Sequence, residues 1–185
     1  MNVAMDLFYT QGFRATGVNE VIEKSGVAKA TFYNHFPSKD DLGLAYLKGV
    51  VDKEISSLDE GLRNTKGALK RFMLAVEWLK PWLDETNYRG CAFLHTVAEI
   101  PDHKSPLRKP GKILYDKVRL RVEELTKDLI ESDRKKYQHL DAQQLTNAYM
   151  IIFAGAIAMS ELYHADWPIE HALITLQCLI GETKG

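Results

Sequence analysis

The stretch from Thr16 to Leu42, TGVNEVIEKSGVAKATFYNHFPSKDDL, determines how the first quarter of this 185-residue chain folds. Two short segments with helical spacing of apolar residues lie on either side of a Ser25-Gly26 break, and a third helix is predicted after Pro37. Gly26 supplies the positive φ that ends a helix and turns the chain at little steric cost. This layout predicts a helix-turn-helix.

The second helix of the pair is predicted from about Ala28 to His35. Phe32 and Phe36 lie four residues apart and are expected to face the core. The side chains left on the outside are a cation, a hydroxyl, a phenol and an amide: Lys29, Thr31, Tyr33 and Asn34. All four can bind phosphate oxygens or base edges, and no carboxylate among them repels DNA. The pattern therefore indicates a recognition helix.

Capping residues support the predicted helix ends. Thr16 stands where an N-cap of the first helix of the pair belongs. Pro37 ends the recognition helix, because proline disfavours helical geometry in the preceding residue. Ser38, with Asp41 three residues later, predicts a variant of the capping box at the start of the next helix.

The pattern as a whole resembles the DNA-binding domain of the TetR family of repressors. The positions that carry the resemblance are Ala4, Leu7, Phe8, Gly12, Phe13, Thr16, Val18, Gly26, Val27, Lys29, Thr31, Tyr33, His35, Phe36, Ser38, Lys39 and Leu42. The resemblance implies an all-α protein of about nine helices. It implies a three-helix helix-turn-helix head over residues 1–48, and a long fourth helix leading into a ligand-binding and dimerisation domain over residues 49–185.

The resemblance also implies which head residues face DNA: Lys29, Thr31, Tyr33, Asn34, His35 and Lys39. We expect Tyr33, His35 and Lys39 to bind phosphate and position the head. Thr31 and Asn34 are then expected to read base edges.

Two features of the head depart from the family pattern. Ala28 replaces the usual serine cap, at a typical cost of about 1 kcal/mol of helix stability. The family's longer, often basic, N-terminal lead-in is missing, so contacts from such an arm to the DNA backbone are not expected; whether this short start is native or trimmed stays open.

Charge gives the DNA-binding prediction little help. The net charge is −1, and residues 1–48 hold five Lys/Arg and five Asp/Glu. From Ala28 to Lys39 there are two lysines and no acid. DNA affinity is therefore expected to depend on a local patch, helix N-termini and dimer symmetry. The alternative is a small-molecule-binding or protein-interaction dimer with weak or lost DNA binding.

Beyond the head, apolar spacing predicts further helices at about residues 38–63, 66–85, 91–100, 112–135, 141–164 and 168–181. Pro81 is expected to bend the second of these late in its course. The segment from Pro101 to Gly111 contains three prolines and several charges, so it is predicted to be a loop.

The segment RGCAFLHTVAEIP, residues 89–101, resembles one branch of TetR-type ligand-binding domains, in which a short helix lies beside the effector cavity. The candidate ligand-binding residues are Trp78, Trp82, Phe93, His95, Tyr115, Tyr149 and Phe153. Their chemistry suggests a largely apolar or aromatic effector, with His95 and Tyr149 as polar anchors. Plain core packing is the alternative for each residue taken singly.

The two C-terminal predicted helices, Asp141–His164 and Pro168–Gly181, form a four-helix bundle with their copies in the family. The resemblance therefore implies a homodimer, and two-fold symmetry implies a palindromic operator on double-stranded DNA. The alternative is that these helix faces belong to the internal core.

Several function classes find no support in the sequence. Cys91 and Cys178 form no disulfide framework and fit a reducing cytoplasm. No apolar run reaches the roughly 20 residues of a membrane helix, and no signal peptide is predicted. No cofactor, metal-ligand or catalytic motif is found. An enzyme on a helical scaffold, assembled only in three dimensions, is a third alternative.

The sequence is therefore interpreted as a cytoplasmic, homodimeric, ligand-responsive transcriptional regulator, a repressor released from its operator by an effector. The expected mechanism has two states. The ligand shifts the fourth helix and so changes the separation of the two heads, provided that it binds the two states unequally.

Overall fold

The computed structural model describes residues 2–182, and within that range it is helical with no strand. The all-α prediction is confirmed. The α-helices are α1 (Asn2–Gln11), α2 (Val18–Ser25), α3 (Lys29–His35), α4 (Lys39–Asn64), α5 (Ala68–Glu77), α6 (Leu79–Glu85), α7 (Ala92–Glu99), α8 (Lys109–Ser132), α9 (Arg134–Tyr137), α10 (Ala142–Tyr163) and α11 (Trp167–Leu179). A 3₁₀ turn spans Pro106–Arg108.

Local sequence signals account for the helix ends in the head. Gly26 ends α2 in the left-handed region at φ 66°. The last residue of α3 is His35, and Phe36 is already extended before Pro37. The Ser38 Oγ accepts a hydrogen bond from the Asp41 N–H at 3.1 Å, as the capping prediction requires.

Thr16 does not cap α2, so that prediction is wrong. The N-cap of α2 is Gly17, which has no side chain to offer. The Thr16 hydroxyl instead points back and lies within hydrogen-bond distance of the Gly12 carbonyl at 2.8 Å and the Leu7 carbonyl at 3.2 Å. Leu7 lies within α1 and Gly12 directly follows it, so the hydroxyl ties Thr16 to the C-terminal part of α1. Thr16 is fully buried in this position.

The helix predicted over residues 66–85 divides at Trp78 into α5 and α6. Proline has no N–H, so Pro81 cannot donate to the carbonyl four residues earlier. The new helix begins at Leu79, which places Pro81 in a first turn, where N–H groups have no helical acceptor. The break therefore comes before the proline, earlier than the predicted late bend.

The start of α8 was predicted three residues too late, at Lys112 instead of Lys109. Pro110 and Gly111 were interpreted as loop residues. Pro110 is tolerated because it stands in the first turn of the helix. The predicted loop from Pro101 also contains the 3₁₀ turn, where the Ser105 hydroxyl accepts from the Leu107 N–H at 3.3 Å.

The chain forms two compact units. The first comprises residues 1–54 and 91–115, and the second comprises residues 55–90 and 116–185. Buried side chains of the first unit include Leu7, Phe8, Phe32, Leu42 and Phe93; those of the second include Phe72, Leu83, Leu129, Tyr149 and Leu176. The division of the chain at residues 48 and 49 stays a prediction.

Two glycines on α4 offer a matched test of packing in the first unit. A Cβ at Gly43 would lie 2.6 Å from Phe13 Cε2 and 3.0 Å from Leu107 Cδ2, whereas a Cβ at Gly49 would meet nothing within 4 Å. Gly43→Ala is therefore expected to lower the free energy of unfolding by about 1–3 kcal/mol through overpacking. Gly49→Ala is expected to raise it by about 0.5–1 kcal/mol through helix propensity. Urea denaturation at one fixed protein concentration measures both values, and equal effects would contradict the close approach.

Candidate functional site

The surface of α3 presents the predicted contact residues to solvent. Lys29, Thr31, Tyr33, Asn34 and His35 are all exposed. The helix is held from behind by Phe32, which is buried and lies edge-on to the Tyr33 ring at 5.4 Å between centroids. Tyr33 keeps 41% of its surface exposed despite this contact. The five side chains therefore lie on the solvent-exposed part of a helix that Phe32 anchors.

Lys39 differs from the other predicted contact residues because its ammonium is already engaged. Its Nζ donates to the Arg14 carbonyl at 3.2 Å and lies 4.6 Å from the centre of the Phe13 ring. Burial lowers the pKa of the Lys39 ammonium. Lys39 therefore joins the start of α4 to the segment that follows α1.

Acidic side chains of the head are partly neutralised by internal contacts. Glu20 on α2 accepts from Lys24 Nζ at 2.9 Å and from Gln11 Nε2 at 3.3 Å. The hydrogen bond from Lys24 lowers the pKa of Glu20. The Asp41 carboxylate accepts from the Ser38 hydroxyl at 2.7 Å. Of these two acids, only Glu20 has a cationic partner that offsets its charge; Asp41 keeps its full charge.

Glu99, the last residue of α7, ties the head to the rest of the first unit. Its carboxylate accepts from the Arg14 N–H at 2.7 Å and from the Phe13 N–H at 3.3 Å. A Cβ at Gly12 would lie 2.7 Å from the Glu99 Oε1, and Gly12 has a φ of 94°. Gly12 thus leaves room for the Glu99 carboxylate at this corner. The contact between Glu99 and the backbone amides was not identified from the sequence.

The predicted ligand-binding residues divide between the two units. Phe93, His95 and Tyr115 lie in the first unit, whereas Trp78, Trp82, Tyr149 and Phe153 lie in the second. In the second unit, the Trp78 and Trp82 rings stack at 5.8 Å. Trp78 Nε1 also donates to the Ser57 hydroxyl at 3.2 Å.

Tyr149 is the most enclosed of the predicted ligand-binding residues. It is fully buried and packs edge-on against Phe72 at 5.1 Å between ring centroids. Its hydroxyl finds no hydrogen-bond partner among the residues that the structure describes. A buried hydroxyl in this state is costly unless another group satisfies it.

A cleft of about 480 Å³ opens in the first unit beside α7. Phe93 and Tyr115, two of the predicted ligand-binding residues, line it together with Leu94 and Val97. The first turn of α8 forms another wall, where Gly111 lets the backbone approach Phe93; a Cβ there would lie 3.0 Å from the Phe93 Cβ. The volume is in the range typical of small-molecule sites.

Glu54 is a titratable residue of the first unit that the sequence interpretation missed. Burial raises its pKa to about 7. Its charge contributes to raising the pKa values of Cys91 and Tyr115, although burial is the larger cause in both. The sequence did hold a signal, because Glu54 lies midway between Val50 and Leu58, within the apolar stripe of α4.

The buried Cys91 thiol pairs with the half-buried Tyr115. The Tyr115 hydroxyl donates to the Cys91 Sγ at 3.8 Å, and the pKa of the thiol rises to about 11. Cys91 is therefore a neutral thiol at pH 7, which disfavours reactivity. No group of three or more His, Cys, Asp or Glu side chains within residues 2–182 is arranged to hold a metal ion.

α10 and α11 carry a row of exposed apolar side chains. Ile151 and Leu162 on α10 are 74% and 72% exposed, and Trp167 and Ile174 on α11 are 43% and 50% exposed. The spacing places each pair on one helix face. By length and composition alone, Ala142–Tyr163 is apolar enough to cross a membrane, but this is weak support for a membrane span. The opposite face of α10 carries buried Tyr149, Phe153 and Ile157.

Two family models match the chain. A model described as bacterial regulatory proteins of the tetR family matches residues 1–46. A model described as the tetracyclin repressor-like C-terminal domain matches residues 68–176, which is more than half of the chain.

Individual relatives agree with this assignment. The HTH-type transcriptional activator FasR of Mycolicibacterium smegmatis is 38% identical over 88 residues, which cover 46% of this chain and 40% of FasR. The HTH-type transcriptional repressor NemR of Escherichia coli is 23% identical over 176 residues, covering 92% of this chain and 86% of NemR. The chain thus spans less than half of FasR but most of NemR.

A solved TetR-family regulator from Streptomyces coelicolor shares the fold. It aligns with a TM-score of 0.87 at 23% identity, over 98% of this chain and 86% of its own.

Glu54 predicts a pH dependence of stability. The pKa of Glu54 is about 7 in the folded state and 4.5 ordinarily, so the folded protein holds this proton more tightly than the unfolded chain does. The resulting contribution to the free energy of unfolding is fully present below pH 4.5 and is lost as the pH rises through 7. Glu54→Gln removes this loss. The free energy of unfolding of the variant minus that of wild type is therefore expected to increase by about 2–3 kcal/mol from pH 4.5 to pH 7.5.

Chemical denaturation at a series of pH values measures this difference. Glu60→Gln is the matched control, because Glu60 lies on the exposed side of the same helix and the net charge changes equally. A constant difference between Glu54→Gln and wild type across the pH range would contradict the assigned burial of this carboxyl.

Proposed function

The chain belongs to the TetR family of bacterial regulatory proteins, and on that premise we propose that it is a repressor released from a palindromic operator by a small, largely apolar or aromatic effector. Members of the family are ligand-responsive DNA-binding regulators that act as dimers. The relatives include both an activator and a repressor, so the direction of regulation is part of the proposal.

The exposed polar surface of α3 is the observation that carries the DNA-binding proposal. Lys29, Tyr33 and His35 offer donors to phosphate oxygens, while Thr31 and Asn34 offer short polar groups suited to base edges. Lys39 is assigned to phosphate as well, and its contact with the Arg14 carbonyl orients it from the start of α4. The ion pair of Glu20 with Lys24 reduces the repulsion that this carboxylate would exert on a phosphate.

The exposed apolar faces of α10 and α11 support dimerisation through these two helices. A monomer would leave Ile151, Leu162 and Ile174 in water, whereas a second copy would cover them. An isologous contact between identical faces gives two-fold symmetry. Two heads related in this way would match a palindromic operator with half-sites about one helical turn, or a multiple of it, apart.

The effector is proposed to contact Trp78, Trp82, Phe93, His95, Tyr115, Tyr149 and Phe153. The buried, unpartnered hydroxyl of Tyr149 supports this assignment, because a ligand acceptor or donor would satisfy it. The cleft beside Phe93 and Tyr115 supports it from the first unit.

The proposed mechanism is a shift between two conformations. Phe93 and Val97 line the cleft, and Glu99 at the end of the same helix binds the backbone of the head. Ligand binding that moves α7 or α4 would therefore change the position of the head, and the two heads would no longer match their half-sites. The ligand achieves this only by binding the two states unequally. We place the protein in the bacterial cytoplasm, where operator DNA lies.

One observation favours a second candidate function. Ala28 provides no side-chain hydrogen bond at the start of α3, and the helix spans only Lys29–His35. A short, uncapped recognition helix in a head of zero formal charge suits a dimer that binds small molecules with weak or lost DNA affinity.

A gel-shift titration against the DNA flanking the gene, at several salt concentrations, separates the two functions. A regulator is expected to give a specific shift that weakens steeply as salt rises. Lys29→Gln is expected to weaken binding to all sequences and to reduce the slope of log K against log salt by about 1, because one phosphate contact is lost. Lys48→Gln, an exposed lysine on α4 outside the proposed surface, is the control. The absence of a specific shift at low salt would favour the second function.

The dimer is tested by replacing two exposed residues of α10. Ile151→Glu combined with Leu162→Glu is expected to convert the dimer to monomers at micromolar concentration, because four carboxylates would be buried in the symmetric interface. Sedimentation velocity measures the change. Leu120→Glu is the control, since Leu120 on α8 is 54% exposed but lies on neither helix. A double variant that sediments like wild type would exclude this face as the interface.

A further inference from the structure

The cleft beside α7 combines two kinds of wall. Its floor is apolar and is formed by Phe93, Leu94, Val97 and the Tyr115 ring. Its rim carries Lys104, Arg108, Lys109 and Lys112, and His103 lies among them. No carboxylate is present among the residues that line it. Such a concentration of one charge around an apolar floor is unusual in a chain whose net charge is only −1.

The cations of the rim have different roles. Arg108 Nη1 donates to the carbonyls of Ile100 at 2.6 Å and Val97 at 3.0 Å, so this guanidinium fixes the end of α7 to the loop that follows. Lys104 and Lys109 are exposed, and within residues 2–182 neither ammonium forms an ion pair. These two side chains are available to an incoming anion.

The first turn of α8 adds to the positive field at the rim. Lys109 is the first residue of this 24-residue helix, and Gly111 and Lys112 of the same turn also line the cleft. The Lys109 N–H donates to the Pro106 carbonyl and Pro110 has no N–H, so this end of α8 contributes through its helix dipole, whose positive pole lies here. The dipole and the lysine charges therefore favour the same kind of ligand group at the same place.

We propose that this cleft binds an anionic amphiphile: a carboxylate or phosphate head held by Lys104 and Lys109, with an apolar chain lying on Phe93, Leu94 and Val97. The volume of about 480 Å³ accommodates a medium-length chain. The inference deepens the proposed function by giving its effector a charged head. The expectation that this ligand alters operator binding rests on the proposed function.

The position of the cleft gives such a ligand a direct route to the head. Val97 and Glu99 are two residues apart at the end of α7, the first lining the cleft and the second holding the Phe13 and Arg14 amides. Arg108 fixes the same end of α7 through the Val97 carbonyl. A ligand chain seated against Val97 would therefore act on the segment that positions the head.

Isothermal titration calorimetry of the full chain without DNA tests the binding site directly. The probes are octanoate, octyl phosphate and the uncharged 1-octanol. We expect at least one of the two anions to bind about tenfold more tightly than 1-octanol. In Lys104→Gln combined with Lys109→Gln, the affinity for that anion is expected to fall about five- to tenfold, to the level of the alcohol.

Lys66→Gln combined with Lys70→Gln is the matched control, because both lysines are exposed, lie outside the cleft and change the net charge equally. This control is expected to bind the anions as wild type does. Which anion binds more tightly identifies the head group. Equal affinity for the anions and the alcohol, or an unchanged affinity in the cleft variant, would overturn the proposal.

A second measurement separates this inference from the proposed function. The same ligands are added to the operator complex in the gel shift. If the anions bind in the calorimeter but the protein gives no operator shift at all, the anion site in the cleft is supported and the proposed regulator function is contradicted. If the protein shifts the operator but no anion binds in the calorimeter, the regulator function is supported and the anion site is contradicted.

Discussion

The Glu99 carboxylate, bound to the backbone amides of Phe13 and Arg14, is the contact on which the arrangement of the first unit depends. It joins residues more than eighty positions apart in the chain through backbone N–H groups, which among substitutions in the head only proline would remove. Two glycines make the approach possible. Gly12 leaves room for the carboxylate, and Gly43 leaves room for the Phe13 ring beside Leu107. The corner between α1 and α2 is thus packed directly against the segment from α7 to the 3₁₀ turn.

Charge is distributed in an unusual way for a DNA-binding protein. The head is formally neutral, and several of its ionic groups are engaged with one another or with the backbone. Four cations line the cleft beside α7 instead: Lys104, Arg108, Lys109 and Lys112. Long-range attraction to DNA is therefore weak, and binding would depend on close contacts made by α3.

The sequence predicted best what depends on neighbouring residues. Gly26, Pro37 and the Ser38–Asp41 pair set helix ends through local sterics and local hydrogen bonds, and the structure agrees at each. Prolines were harder to interpret, since Pro81 and Pro110 stand in first turns, where the missing N–H costs nothing.

Long-range contacts could not be predicted. The Thr16 hydroxyl had two possible uses, and only the position of α1 decides between them. Glu99 belonged to a recognised motif, but nothing in the sequence identified Phe13 and Arg14 as its partners. Glu54 was detectable as a carboxyl within an apolar stripe, although its burial depends on how α4 packs. The assignments of individual side chains to DNA and to ligand come from the family resemblance and stay predictions.

The two cysteines differ in a way that matters for biophysical work on this protein. Cys91 is buried, and its pKa near 11 leaves almost no thiolate at neutral pH, whereas Cys178 on α11 is exposed. In a single chain, a maleimide dye or nitroxide spin label should therefore attach at Cys178 and not at Cys91. Cys178 lies one helical turn after Ile174, on the face of α11 that the proposed dimer would cover, so its rate of labelling in the unmodified chain would report whether that face is free.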